Sequence, residues 1–374
     1  MPSRQEPLRV IQLGFGNVGR SLVAQMLPAQ SRFPWLLPCG IADSSGLWVA
    51  PGGFSPDDCV AALHHRAGGQ QLLRWRPASK GAVLLPAREA YSPALVDRLE
   101  VLGLERTVVV DLTSSQELYP LHLALREAGH HIVLANKWPL TVPYGQFVKL
   151  WQAGDGTNQL RHETTVGAAL PVIGPLEERV AVGDSVEEIV ASVSGTLGFV
   201  TSSIMDGIPF SQALQEAASR GYTEPDPRVD LGGIDAQRKA LILARKLGMR
   251  LDLADVQVDS LLPPGLRDVS LEQFWSDLPG VDDFFAEKVA DARRQDKVLR
   301  YLAIIKPNEK PWVGLTPVPA DSVLASTRGT ESLFMFRTTL YNEQPLVVRG
   351  QGAGGALTAS GVLADIVAVG GREK

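Results

Sequence analysis

The chain has 374 residues, 45% of them hydrophobic and 21% charged, with a formal net charge of −5 at pH 7. This is an ordinary globular composition at a length that predicts two domains, and its scattered basic residues exclude a polyanion-binding surface. Two cysteines, Cys39 and Cys59, exclude a disulfide framework and favour a cytoplasmic location, and no apolar run approaches the ~18 residues that a membrane span needs. The few polar residues before Leu8 leave no room for a signal peptide.

Strands alternate with helices over residues 1–150. Buried parallel strands are predicted at Leu8–Leu13 and at residues 36–42, 107–112 and 131–135. Apolar residues at helical spacing lie between them, and Ser55 begins one helix with proline at its first position. The pattern predicts an α/β fold whose first domain, residues 1–150, is a Rossmann-type doubly wound parallel sheet that binds a dinucleotide.

The pattern changes over residues 151–349. Strands are predicted at residues 186–193, 297–305, 313–318 and 333–340, with a long helix-rich stretch between the first two. We expect an α+β domain for substrate binding, whose sheet also supports a dimer. The Gly/Ala-rich tail, residues 350–374, is predicted to form a helix that completes the first domain.

A glycine-rich loop directly follows the first strand and precedes the first helix. It fits GxGxxG, in which the first glycine makes a tight turn, the second admits the pyrophosphate and the third lets helix pack on strand. The helix N-terminus then presents unpaired N–H groups to the phosphates. The predicted cofactor-binding residues are Gly14, Phe15, Gly16, Asn17, Val18 and Gly19.

Asp43 ends the second strand, where a carboxylate accepts the ribose 2′-OH of NAD and repels a 2′-phosphate. No basic residue follows in Ser44, Ser45 or Gly46. The sequence therefore favours NAD, with NADP possible in principle. The alternative interpretation of Asp43 is a turn or helix-capping residue.

Two lysines are candidates for proton transfer, because reduction of an aldehyde leaves an alkoxide that must be protonated. Lys137 follows an apolar strand, at the edge where doubly wound sheets bind ligands. Lys239 lies four residues after Asp235 on one helix face. The alternatives are a solvated lysine for Lys137 and an exposed helix salt bridge for Lys239.

Residues 194–239 resemble the homoserine dehydrogenase family. Residues 194–198 read SGTLG, residues 221–228 read GYTEPDPR, and Gly233, Asp235, Arg238 and Lys239 follow. The resemblance covers nearly the whole chain. It includes residues 111–115 (DLTSS), the segment around Lys137 and residues 350–355 (GQGAGG). It is weakest over residues 44–106 and 250–295.

The resemblance implies oxidation of homoserine, or reduction of aspartate semialdehyde, on the path to threonine and methionine. Lys137 and Lys239 are implied to flank the reacting carbonyl, with Asp235 orienting Lys239. Glu224 and Asp230 are implied to position the substrate. Further implied members of the site are Gly195 and Thr196 for the substrate, and Thr113, Ser114 and Gly352 for the cofactor.

The resemblance also implies a homodimer and a structural monovalent cation, sodium or potassium. A carboxylate with several backbone carbonyls suits a hard cation. The implied ligands are Glu163 and the carbonyls of Val166, Ala168 and Leu170. The residues themselves indicate only the end of a strand.

The sequence departs from longer family members, because it shows no kinase region and no threonine-sensing regulatory domain. We therefore expect threonine to inhibit weakly or not at all. Loss of activity at a low threonine concentration would contradict this.

Four other functions fit parts of the sequence. An aspartate-semialdehyde dehydrogenase needs a nucleophilic cysteine, whereas Cys39 and Cys59 have the pattern of core residues. A lactate- or malate-type enzyme needs a histidine base, and the pairs at 64–65 and 130–131 look like solvated helix ends. Another NAD(P) oxidoreductase, acting on a sugar or amino acid, is distinguished by its lack of activity with homoserine. A dinucleotide-binding module would bind the cofactor but show no turnover.

Overall fold

The computed structural model describes residues 6–154 and 156–371. The chain divides into two units: one runs to Ala169 and resumes at Gly354, and the other spans Leu170–Ala353. The first division lies later than the expected residue 150, because a short strand near residue 160 still pairs with the sheet of the first unit.

Within its described residues, the first unit contains seven strands in one sheet. They are β1 (Leu8–Leu13), β2 (Leu36–Asp43), β3 (Gly46–Val49), β4 (Val83–Pro86), β5 (Val108–Asp111), β6 (His131–Leu134) and β7 (Leu160–Arg161). Its helices before residue 170 are α1 (Asn17–Ala29), α2 (Pro56–Ala67), α3 (Ala87–Ala90), α4 (Ala94–Val101), α5 (Tyr119–Glu127), α6 (Tyr144–Gln152) and α7 (Thr164–Gly167).

The sheet order is β4-β3-β2-β1-β5-β6-β7, and the strands from β2 to β7 in this order run parallel. The apolar runs predicted buried parallel strands rich in β-branched residues. Strand β5 has this character, because all of its residues are buried. Parallel strands bring their carboxyl ends to one edge. That edge carries the glycine loop after β1, Asp43 after β2, and the polar segments after β5 and β6.

The sheet is not parallel throughout, and its two antiparallel strands lie within residues 44–106, where no strand was predicted. β3 and β4 are antiparallel strands added beside β2. Asp43 pairs directly with Gly46, whose φ of +154° suits a glycine at the end of this two-residue turn. Because the turn residues are two serines, the sequence carried no typical hairpin signal.

The second unit contains a six-stranded sheet and seven helices. The helices are α8 (Ile173–Ala181), α9 (Gly195–Met205), α10 (Phe210–Ser219), α11 (Arg228–Leu231), α12 (Ile234–Lys246), α13 (Leu271–Asp277) and α14 (Asp282–Arg294). The strands are β8 (Val186–Ser192), β9 (Gln257–Val258), β10 (Lys297–Ile305), β11 (Trp312–Pro319), β12 (Glu331–Thr338) and β13 (Leu346–Gln351).

The order of the second sheet is β13-β12-β8-β10-β11-β9, antiparallel except for the parallel pair β11 and β9. Helices α9, α12 and α14 pack against β10. Helix α9 begins at the end of β8, where the Ser194 side chain caps it by accepting a hydrogen bond from Leu197 N.

The last helix, α15 (Gly355–Gly371), belongs to the first unit. It packs against α1, and its Val362, Ile366 and Val369 join the core around Leu22. Gln25 on α1 also donates a hydrogen bond to the Ala356 carbonyl at 2.8 Å. None of the helices in the described ranges is both long enough and apolar enough to cross a bilayer.

Candidate active site

The glycine loop has the tight turn and the close helix–strand packing that the GxGxxG pattern predicted. Gly14 turns at φ +100°, and a Cβ on Gly19 would overlap the Gly14 carbonyl oxygen. Gln12, buried at the end of β1, donates hydrogen bonds to the carbonyls of Gly14 and Gly19. Gly16 is exposed, and a Cβ there would meet open space. The loop is therefore rigid where it contacts protein and open at the position expected to approach a pyrophosphate.

The other loop residues have separate roles. Phe15 is buried in the core, and the Asn17 side chain accepts a hydrogen bond from Arg20 at 2.7 Å. Val18 packs beside the core as the first apolar residue of α1. The N-terminus of this 13-residue helix begins directly at the loop.

Asp43 is buried, and both of its carboxylate oxygens accept hydrogen bonds from within the protein. Oδ1 accepts from the backbone N–H and the hydroxyl of Ser45, and Oδ2 accepts from Leu72 N at 2.9 Å. The guanidinium of Arg66, on α2, lies 3.8 Å from Oδ2. The carboxylate thus holds a turn and a loop together, beside a cation that the sequence near Asp43 did not indicate.

Lys137 lies in the segment after β6, next to the loop after β5. The side chain of Asn136 donates to Asp111 Oδ2 at 3.0 Å and to the Ser115 carbonyl at 2.8 Å, and it accepts from Trp138 N at 3.0 Å. Asp111 Oδ1 accepts from Thr113 N at 2.9 Å. The predicted Thr113 and Lys137 therefore lie on two loops that one buried amide ties together, while Ser114 is exposed.

In the second unit, Asp230 joins two of the other residues that are predicted to bind the substrate. Its Oδ2 accepts from Glu224 N at 2.8 Å, and its Oδ1 accepts from the Thr196 hydroxyl at 3.0 Å. Burial raises the pKa of the Asp230 carboxyl above its ordinary value, opposed by these two hydrogen bonds. The charges of Glu224 and Asp235 act in the same direction as burial. Three carboxylates thus concentrate negative potential near α11 and the start of α12.

Lys239 is paired as its spacing predicted. Its Nζ lies 2.9 Å from Asp235 Oδ2 and donates to the Val193 carbonyl at 2.6 Å. The lysine side chain is only 13% exposed, whereas that of Asp235 is 53% exposed. This is not a solvated surface pair, because a backbone carbonyl at the β8 end fixes the ammonium group and leaves one of its three donors for a ligand.

The remaining predicted site residues are Gly352, Gly195 and the proposed cation ligands. Gly352 lies in the second unit, where a Cβ would overlap the Ser332 side chain, so packing explains this glycine. Gly195 begins α9 and faces Thr330. Of the proposed cation ligands, Leu170 begins the second unit, whereas Glu163, Val166 and Ala168 lie at α7 in the first.

The cysteines and the histidine pair at 130–131 do not support the competing chemistries. Burial raises the pKa of the Cys39 thiol to about 12 and that of Cys59 to about 11, so neither is a nucleophile at neutral pH. His130 and His131 are buried, not solvated as expected. The ring nitrogens of His130 and His131 accept hydrogen bonds from Thr107 N and Gln159 N, which makes them structural.

Sequence analysis missed Arg66 and Asn136. Arg66 reaches Asp43 from a different helix, so no local pattern marked it. Asn136 directly precedes Lys137, and the sequence signal that could have marked it is an asparagine immediately after the apolar strand.

Comparison with known proteins identifies the family. The homoserine dehydrogenase family model matches residues 171–367. The chain is 37% identical over 279 residues to the homoserine dehydrogenase of Paracoccidioides brasiliensis, covering 71% of this chain and 74% of that one. It is 38% identical over 361 residues to the bifunctional aspartokinase/homoserine dehydrogenase of Haemophilus influenzae. That match covers 95% of this chain but only 42% of the relative's length.

Solved structures share the fold over the whole length. A Candida auris protein of unknown function has a TM-score of 0.83 at 28% identity, with 98% of this chain and 99% of that chain covered. A hyperthermophilic archaeal homoserine dehydrogenase in complex with NADPH has a TM-score of 0.73 at 24% identity, with 98% of each chain covered. The family match and the P. brasiliensis relative together show that this chain belongs to the homoserine dehydrogenase family.

Proposed function

We propose that this chain catalyses the NAD(P)-dependent interconversion of L-homoserine and L-aspartate 4-semialdehyde, as a step of threonine and methionine biosynthesis in the cytoplasm. The observation that carries the proposal is the pairing of Lys239 with Asp235 and the Val193 carbonyl, beside the carboxylate group of Glu224 and Asp230. An amino acid carries the ammonium group that these carboxylates suit, and a carbonyl oxygen needs the proton that a lysine holds.

The first unit fits a nicotinamide dinucleotide. The open position at Gly16 and the start of α1 provide the pyrophosphate cradle. A bound nicotinamide would supply the hydride for the carbonyl carbon. The chain's own residues hold the dinucleotide through the glycine loop, Thr113 and Ser114, and Lys137 lies at the same sheet edge.

The second unit fits the amino acid. Glu224 and Asp230 receive the substrate ammonium, and Thr196 and Gly195 form the wall at the start of α9. Lys239 Nζ gives a proton to the oxygen as the carbonyl is reduced and takes it back in the oxidation direction. Asp235 orients the ammonium group through their ion pair at 2.9 Å.

The direct test is homoserine oxidation at alkaline pH, followed by the absorbance of the reduced cofactor, with NAD and NADP in separate reactions. Turnover supports the proposal. Folded protein that binds a dinucleotide but turns over no homoserine contradicts it and directs attention to other alcohols.

For the cofactor, we propose that both NAD and NADP bind, with a weaker preference for NAD than the sequence indicated. Asp43 already accepts internal hydrogen bonds, and Arg66 offsets its repulsion of a 2′-phosphate. Arg66→Ala should weaken NADP binding roughly tenfold, the size of one charge-assisted hydrogen bond, and leave NAD binding unchanged. The exposed Arg74→Ala is the control, and equal losses for both cofactors would contradict this role.

A structural monovalent cation at Glu163 and the carbonyls of Val166 and Ala168 is a further part of the proposal. Ala168 has φ +55°, a strained conformation for a residue with a side chain, and Glu163 N donates to Asp365 Oδ2 at 3.0 Å. Thermal unfolding in NaCl, KCl and choline chloride at one ionic strength tests it. Stabilisation by sodium or potassium that Glu163→Gln removes is expected, and identical midpoints would overturn it.

The homodimer that the family resemblance implies belongs to the same proposal. Sedimentation velocity of the purified chain tests it. A single monomeric species at micromolar concentration would contradict it.

A further inference from the structure

We propose that Asn136 is a positioning residue that holds Lys137 at the apex of a fixed turn, with Asp111 as its anchor. The inference rests on the proposed function only for the role of Lys137 in the reaction. The turn itself is a property of the first unit.

The Asn136 side chain closes the turn. Its Oδ1 accepts from Trp138 N at 3.0 Å, so that the side chain of one residue bonds to the backbone two residues later. Lys137 is the middle residue of this Asx turn and has φ −80° and ψ −24°. The backbone of the lysine is therefore fixed by its neighbour.

Asn136 is itself fixed by the other half of its amide. Nδ2 donates to Asp111 Oδ2 at 3.0 Å and to the Ser115 carbonyl at 2.8 Å, and the Asn136 side chain is buried. Asp111 has no exposed surface, and its Oδ1 accepts from Thr113 N at 2.9 Å. The loop bearing Thr113 and the turn bearing Lys137 thus share one buried carboxylate–amide pair.

The buried carboxylate also has a basic neighbour. His122 on α5 is fully buried, with its Nε2 3.2 Å from Asp111 Oδ2. This places the anchor on the rigid part of the sheet and helix, where it holds a fixed position.

A positioning residue and a merely structural residue should have different effects when they are removed. A small displacement of a reacting group costs on the order of 10²-fold in rate, so loss of the Asx turn should lower kcat of the folded enzyme. A residue that merely stabilises the fold would lower the unfolding midpoint without affecting kcat of the folded enzyme.

The test compares Asn136→Ala with Asn158→Ala. Asn158 is an equally buried amide of the same unit, and it donates to the carbonyls of Arg126 and His130. Four quantities are measured for each variant: kcat, KM, the unfolding midpoint and the hydrogen exchange of the Trp138 amide. We expect about a 10²-fold loss of kcat and loss of Trp138 protection for Asn136→Ala only.

Asn136→Asp is the conservative variant. It keeps an oxygen for Trp138 N but places a carboxylate 3 Å from that of Asp111, a pair that is stable only when it shares a proton. Its activity relative to wild type should therefore rise as the pH falls, and Trp138 should become protected again over the same range. A flat pH ratio would contradict the Asp111 contact.

Wild-type kcat for Asn136→Ala, or an equal loss for Asn158→Ala, would overturn the positioning role. If wild-type protein turned over no homoserine, the proposed function would fail. The exchange measurement would still decide the inference, because unchanged Trp138 protection in Asn136→Ala refutes the turn.

Discussion

Lys239 Nζ lies 2.9 Å from Asp235 Oδ2, one helical turn earlier on α12, and is also bound to the Val193 carbonyl at the end of β8. Two acceptors on different elements give the ammonium group a single position. An exposed i,i+4 pair contributes only a few tenths of a kcal/mol and leaves the lysine mobile. The second acceptor is what makes this lysine suitable for directed proton transfer.

We predict that Lys239→Ala lowers kcat by about 10²- to 10⁴-fold, the usual contribution of a general acid or base. Dinucleotide affinity should be unchanged, because the glycine loop belongs to the other unit. Steady-state kinetics and NADH fluorescence titration measure the two effects. The control is Lys246→Ala, on the same helix as Lys239. It removes the ion-pair partner of Glu177 on α8 and should retain wild-type kcat. Equal kcat for both variants would make Lys239 a structural residue.

Asp230 should give the enzyme an acidic limit. In the proposed mechanism the carboxylate form of Asp230 receives the substrate ammonium, and burial raises the pKa of this carboxyl. Affinity for homoserine is therefore full above this pKa and is lost as the pH falls through it, at a pH above the ordinary value for aspartate of about 3.9. A profile of kcat/KM against pH measures the limit.

Asp230→Asn should raise KM about tenfold or more, because a charge-assisted hydrogen bond is lost, and should abolish this acidic limit. Asp226→Asn is the matched control, since Arg228 lowers the pKa of the Asp226 carboxyl. That variant should keep the limit of the wild-type protein. An unchanged profile for Asp230→Asn would assign the limit to another group.

The sequence predicted the elements whose signal is local. The apolar runs of β1, β5 and β6 and the glycine loop were identified because burial on both faces and the phosphate turn each have a recognisable pattern. The pairing of Lys239 with Asp235 followed from helical spacing, but the Val193 contact did not, because it joins residues 46 positions apart.

The cofactor prediction shows the limit of local reasoning more clearly. Asp43 ends β2 as expected, yet its hydrogen bonds come from Ser45 and Leu72, and its cationic neighbour Arg66 comes from α2. The contacts from Leu72 and Arg66 come from residues more than 20 positions away, so the residues that flank Asp43 do not indicate them. Antiparallel strands β3 and β4 were missed for the same reason, since only tertiary pairing defines them.

The buried His130 should make stability depend on pH. Burial lowers the pKa of the His130 imidazole from 6.5 to about 4, while its Nδ1 accepts from Thr107 N. The unfolded state therefore binds a proton more readily between these values. The stabilisation is complete above pH 6.5 and is lost as the pH falls to about 4, by at most about 3 kcal/mol.

Urea unfolding at several pH values measures this dependence. His130→Asn supplies an amide oxygen for Thr107 N without a titrating group, so its free energy of unfolding should vary less over this range. The exposed His64→Asn is the control and should retain the wild-type slope. Parallel curves for wild type and His130→Asn would show that other groups cause the acid sensitivity.

Gly16 and Gly19 should separate cofactor binding from folding. A Cβ at residue 16 meets open space, whereas one at residue 19 overlaps the Gly14 carbonyl and lies 2.9 Å from the Gln12 amide nitrogen. Gly16→Ala should keep the wild-type unfolding midpoint but weaken dinucleotide binding at least about tenfold, because the methyl group occupies the pyrophosphate approach. Gly19→Ala should lower stability by about 1–3 kcal/mol through overpacking.

Calorimetry and NADH titration measure the two quantities in parallel. The expected result is a crossed pattern, since Gly16 serves the ligand and Gly19 serves the packing of α1 on β1. If Gly16→Ala bound NADH as tightly as wild type, the pyrophosphate would not approach at this loop. The assignment of the dinucleotide to the carboxyl edge of the first sheet would then have to be abandoned.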